Sequence, residues 1–198
     1  RRWNSPKYVL GESYGTTRGA ALSYRLQQDG VSLNGLVLIS NILDYAHVFD
    51  TSDQCYVGYF PTYASVAHYH GKAGRDLTLE EHLAQARAFA DGPLRLALAA
   101  GARLDDASKR RVAERYAELT GLDVDYVFAS DLRVLDTRFR KRLLLEQSRI
   151  VGRYDGRAAG YDLDPVSDDE TFVVDDAYLD PAYSSLVNAY LRDELGWD

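Results

Sequence analysis

The five residues Gly11-Glu12-Ser13-Tyr14-Gly15 hold a serine hydroxyl between two glycines at the spacing of a nucleophile elbow. In such an elbow a sharp strand-to-helix turn lifts the serine oxygen above the end of the strand. The glycines are expected there because a side chain at either position would collide with the neighbouring strand or helix. A serine hydroxyl is a poor nucleophile until a base takes its proton, and in this motif the partners follow in the order Ser, Asp or Glu, His. The chain has four histidines: His47, His68, His70 and His82. All precede any place where a third parallel strand could lie. Each is therefore read as a surface or packing residue, His68 and His70 at a helix end and His82 on a charged helix face. His68 and His70 also fail as a metal pair, because residues two apart on a helix do not face the same way.

Two other groups could carry chemistry. Asp162, Asp164, Asp168, Asp169 and Glu170 crowd into one short stretch. The stretch lacks the glycine of an EF-hand loop, so it reads as a solvated acidic loop and not as a calcium site. Cys55 is the single cysteine and has no neighbours at metal-ligand spacing, which makes it a buried structural thiol. Neither a metal nor another cofactor is expected.

The elements that would position Ser13 are legible around it. KYVLGE is short, apolar and β-prone, and GTTRGAALSYRLQQDG follows with helix formers and a stop at Gly30. LNGLVLIS then gives Leu36, Val37, Leu38 and Ile39 in succession, the pattern of a parallel strand covered on both faces. Strand, helix and strand make a βαβ unit. The loop after it, SNILDY, leaves the C-terminal edge of the sheet, where ligands bind in open α/β folds, so Asn41 and Tyr45 are pocket candidates.

From about Tyr45 to Gln147 the signals are helical. Thr78 and Glu81 stand at capping-box spacing, and that helix is expected to close at Gly92, with Pro93 restarting another. Val112, Tyr116 and Leu119 share one face of a helix ending at Gly121, and Phe139, Leu143 and Leu144 point inward from the next. Beyond Ile150 come a short strand and turn, then the acidic loop. A last helix is predicted with Asp180 as its cap, Pro181 at its first position and an apolar stripe of Leu186, Val187, Tyr190 and Leu191.

Bulk composition narrows the function classes. Of 198 residues, 46% are hydrophobic and 27% charged, as in ordinary soluble domains. No apolar run reaches the roughly 20 residues needed to cross a bilayer. A net charge of -7 disfavours nucleic acid, whose phosphates need a basic face. Neither a membrane nor a nucleic-acid partner is expected. The chain opens at Arg1 and holds no methionine, so it reads as a segment of a longer protein whose compartment is not legible.

GESYG, with Glu directly before the serine, resembles the serine carboxypeptidase family. LNGLVLIS, YFPTYASVAHYHGK and VGRYDGR are similar to its bacterial branch, and the similarity runs with gaps from Lys7 to about Leu195. The resemblance implies an α/β fold, namely a partial α/β-hydrolase-type parallel sheet with a large helical lid insertion. Residues 1–44 would be core with the elbow, 45–148 the lid, and 149–198 a return toward the core with a C-terminal helix. It implies Ser13 as the acylated nucleophile and the Tyr14 N–H as an oxyanion donor. It implies Glu12 as the residue that reads the carboxylate of a peptide C-terminus, kept protonated by burial and a nearby anion so that it can donate a hydrogen bond.

The expected partner is thus a peptide with a free C-terminal carboxylate. The family's second oxyanion loop precedes the elbow, and its Asp and His come late in the whole enzyme. Neither region is in this chain, so the segment alone is expected to lack normal turnover. A serine carboxypeptidase-like acyltransferase and a non-catalytic α/β-hydrolase-fold binding protein are the alternatives. A cut sheet would also leave strand edges and apolar faces open to self-association.

Overall fold

The computed structural model describes residues 3–42, 44, 45, 52–171 and 173–197. The chain mixes helix and strand and divides into two compact units, residues 1–52 and 53–198. The segment 149–198 falls in the second unit.

In the first unit, β1 (Tyr8–Glu12), α1 (Tyr14–Gln28) and β2 (Gly35–Ile39) form the expected βαβ arrangement. The strands pair in parallel, with Tyr8 opposite Gly35 and Glu12 opposite Ile39. α1 lies against the sheet at Gly19, where a Cβ would make ordinary contact with Val9 Cγ1 at 3.5 Å and Leu38 Cδ2 at 3.8 Å. Covering on both faces is not found. Leu10, Val37 and Ile39 stand exposed, Leu10 at 66%. The reason is alternation along the strands: Val9 and Leu38 face α1, and the residues between them face the side that no described element of this unit covers.

The second unit is mostly helical: α2 (Gln54–Tyr69), α3 (Leu79–Phe89), α4 (Arg95–Ala100), α5 (Asp106–Thr120), α6 (Val124–Ala129), α7 (Asp136–Leu143) and α8 (Asp176–Ala189). A short antiparallel hairpin, β3 (Arg149–Val151) with β4 (Ala159–Tyr161), lies between α7 and α8. α2 is the central helix, packing on α3, α5 and α7. Phe60 meets Tyr116 edge-on at 4.7 Å and Phe89 at 4.9 Å, while Tyr63 stacks on Phe139 at 4.2 Å. Such aromatic contacts add to the area they bury.

Several helix ends follow the local signals. Thr78 and Glu81 form the reciprocal capping box, and α5 stops at Gly121, whose φ of 69° suits glycine. The Thr78 hydroxyl and backbone N–H hold the Glu81 carboxyl below its usual range.

Gly92 and Pro93 do not divide α3 from α4. The chain passes through a π-helical turn, Ala90–Leu94, which carries the proline without an interruption and keeps Phe89, Ala90 and Leu94 buried. The last helix also differs from expectation. It begins at Asp176 and holds Pro181 inside it, because the neighbouring Asp175 is pinned from elsewhere. The Asp175 carboxylate is buried and accepts the backbone N–H groups of Arg153, Tyr154 and Asp155. Gly152 makes room for it, as a Cβ there would lie 2.3 Å from Asp175 Oδ1.

Candidate active site

Ser13 sits where β1 turns into α1, at the N-cap of the helix, with φ 52° and ψ -120°. A non-glycine residue at positive φ outside a regular turn costs on the order of 1–3 kcal/mol and persists only where its surroundings hold it. Two backbone bonds do so: Ser13 N–H donates to the Ile39 carbonyl at 3.0 Å, and Thr16 N–H donates to the Ser13 carbonyl at 2.9 Å. Serines at N-caps commonly spend their hydroxyl on the first turn of the helix. Ser13 does not, and its side chain makes no capping bond. The hydroxyl is thus left unused by the helix it precedes.

The two glycines of the motif differ. A Cβ on Gly11 would lie 2.1 Å from the Gly15 carbonyl oxygen, so Gly11 is what lets the strand and helix approach. A Cβ on Gly15 would meet nothing within 4 Å, contrary to the expectation that both glycines avoid a clash. Its carbonyl, which any residue would supply, occupies the space above Gly11.

Tyr14 is the first residue of α1 and is exposed, so its N–H belongs to the set that an α-helix leaves without an intrahelical acceptor. Glu12 ends β1 and is also exposed. No described residue supplies the burial expected to hold it protonated. Asn41 and Tyr45 follow β2, exposed as well, on a segment that begins beside the elbow because Ile39 accepts from Ser13.

That segment is fastened to the elbow by two residues that motif reading passed over. Thr16 is fully buried; its hydroxyl donates to the Ser13 carbonyl at 2.7 Å and accepts the Ile42 N–H at 2.9 Å. Thr17 donates its hydroxyl to the Ile42 carbonyl. Ser40, directly after β2, repeats the positive φ of Ser13 at 50°. The available signal was the Thr-Thr pair in the first turn of a helix, where threonine hydroxyls commonly bond to nearby backbone.

The histidines of the second unit have structural employment. His68 Nε2–H donates to the Leu77 carbonyl at 2.9 Å, His70 Nε2–H to Gly156 at 2.7 Å and His82 Nε2–H to Leu119 at 3.0 Å. His82 is 1% exposed, which corrects its placement on a charged face. It shares the buried side of α3 with Ala86 and Phe89, and desolvation lowers its pKa from the ordinary imidazole value. Its Nδ1 faces Gly74, where a Cβ would approach to 2.4 Å. His47 lies outside the described residues. Cys55 is buried near the start of α2.

The acidic loop is not simply solvated. Lys141 of α7, 2% exposed, pairs with Asp162 at 2.9 Å and donates to the carbonyls of Asp164 and Asp169 at 2.7 and 3.2 Å. Arg140 grips Glu170 with both terminal nitrogens, and Arg138 and Arg142 lie against Asp168. Among the described residues no group of three or more His, Cys, Asp or Glu is arranged to hold a metal ion. No described helix is long and apolar enough to cross a membrane.

No protein-family model, curated protein or solved structure matches the chain.

Proposed function

We propose that Ser13 is the nucleophile of a serine-type carboxypeptidase with an α/β-hydrolase fold. The observation that carries the reading is the strained serine between a parallel strand and a helix, its hydroxyl not used for capping. Ser13 Oγ would attack the carbonyl carbon of the last peptide bond, its proton passing to a histidine base. The oxyanion that forms would face the Tyr14 N–H, a donor at a helix N-terminus where developing negative charge is favoured. Collapse breaks the C–N bond, the departing amino acid takes the proton, and water then hydrolyses the acyl-serine by the same steps in reverse.

The chain-end preference, the reading of the terminal carboxylate by Glu12 and the lid role of the helical unit come from the resemblance to the family. On this proposal the catalytic Asp and His lie outside these 198 residues, and the segment alone turns over no substrate. The open face of the β1–β2 sheet would favour self-association of the segment.

The test is a peptide ladder followed by mass spectrometry with the full-length protein. Stepwise loss of C-terminal residues, abolished by Ser13→Ala, is the expected result. Internal cleavage, or trimming that survives the substitution, overturns the reading. An acyltransferase would instead yield an ester or amide when an alcohol or amine is supplied. A non-catalytic scaffold would resist labelling by a fluorophosphonate.

A further inference from the structure

Thr16 and Thr17 do more than fasten the loop after β2. The peptide unit joining Ser13 to Tyr14 is planar and trans, so fixing the direction of the Ser13 carbonyl also fixes the opposite direction of the Tyr14 N–H. Two donors hold that carbonyl, the Thr16 N–H at 2.9 Å and the Thr16 hydroxyl at 2.7 Å. The first is a backbone bond that a substitution of this side chain leaves available, but the second depends on the side chain itself. The same hydroxyl oxygen accepts the Ile42 N–H, while Thr17 takes the Ile42 carbonyl. One buried hydroxyl thereby joins the peptide plane of the elbow to the backbone that carries Asn41 and Tyr45.

We propose that Thr16 is a positioning residue which aims the Tyr14 N–H at the reacting oxygen and sets the loop after β2 against the elbow. This inference rests on Ser13 being the nucleophile. The role is separable from simple folding because serine keeps the hydroxyl and alanine removes it. Thr16→Val keeps the shape but leaves the Ser13 carbonyl short of one donor and the Ile42 N–H without its acceptor.

Losing one donor to an oxyanion outright lowers kcat by about 100- to 1,000-fold, and misaiming it should cost a part of that, roughly 10- to 100-fold. In the full-length protein, Thr16→Ala and Thr16→Val are expected to lower kcat by that factor with KM changed less than about threefold. Thr16→Ser is expected to restore it, with thermal melts reported for all three. In the 198-residue chain, amide hydrogen exchange at Ile42 should speed up in the alanine and valine variants and return to normal with serine. If valine prevents folding, the serine and alanine pair decides alone. Unchanged kcat in Thr16→Ala, or a fall that serine does not rescue, overturns the proposal. Ser13→Ala is the parallel control: if that variant keeps its activity or its fluorophosphonate labelling, the nucleophile reading itself is wrong, whatever Thr16 does.

Discussion

A Cβ placed on Gly11 would lie 2.1 Å from the Gly15 carbonyl oxygen, so the strand and helix of the elbow must separate if any side chain is introduced there. Gly11→Ala is expected to destabilise the first unit by about 2–3 kcal/mol, in the range of overpacking substitutions. Gly15→Ala meets open space in the first turn of a helix and should be neutral or stabilising, by up to about 1 kcal/mol. Amide hydrogen exchange of α1 in the two variants checks the contrast, and equal protection would refute it. The position of Ser13 was legible because two glycines, a β-prone run and a helix-prone run all point to one turn. The burial of His82 was not, since its ring counts as polar in a composition scan. Its spacing from Ala86 and Phe89, four and then three residues, was the overlooked sign of a shared buried side.

At the scale of elements, α7 and the acidic loop show how opposite charges can be read separately and misjudged. Lys141 sits on a strongly basic helix and Asp162 in a strongly acidic loop, so each alone looks like a solvent-facing residue. Folded together they are 2% and 3% exposed. Removing one partner of such a buried pair costs about 3–5 kcal/mol. Lys141→Met is expected to lose that much in urea unfolding, because it also orphans the carbonyls of Asp164 and Asp169. Asp162→Asn should lose less, since its amide oxygen still accepts from the ammonium. Equal losses, or losses under about 1 kcal/mol, would show that the loop is not held by this lysine. The start of α8 depends in the same way on a distant contact: Asp175 is captured by the turn at residues 153–155, and the helix begins just after it in spite of Pro181.

Across the whole molecule the apolar core is unevenly shared. The main buried cluster runs from Cys55 to Val151, within the second unit, whereas the buried residues described in the first unit are Gly11, Thr16 and Gly19. A polypeptide of residues 53–198 is therefore expected to keep its helical far-ultraviolet circular dichroism and melt cooperatively. Residues 1–52 alone are too small a core to do so. Cooperative unfolding of the short piece, or its absence from the long one, would contradict that division. α8 presents Tyr183, Leu186 and Val187 to the outside, with Leu186 65% exposed, and Tyr190 directly after it is exposed too, although their spacing forms a regular apolar stripe. The sequence by itself determined what depends on near neighbours: the elbow turn, the parallel βαβ order, the capping box and the helix stop at Gly121. The elbow, the capping box and the helix stop each rest on a few adjacent residues whose backbone preferences or hydrogen bonds close within one turn, while the βαβ order was read from the succession of strand, helix and strand signals, although its strands pair 27 residues apart. Tertiary structure alone decided the burial of His82 and Lys141, the start of α8 and the bolt of Thr16 to Ile42. Those outcomes require partners 20 or more residues away, and a pattern read along the chain holds no distances across it.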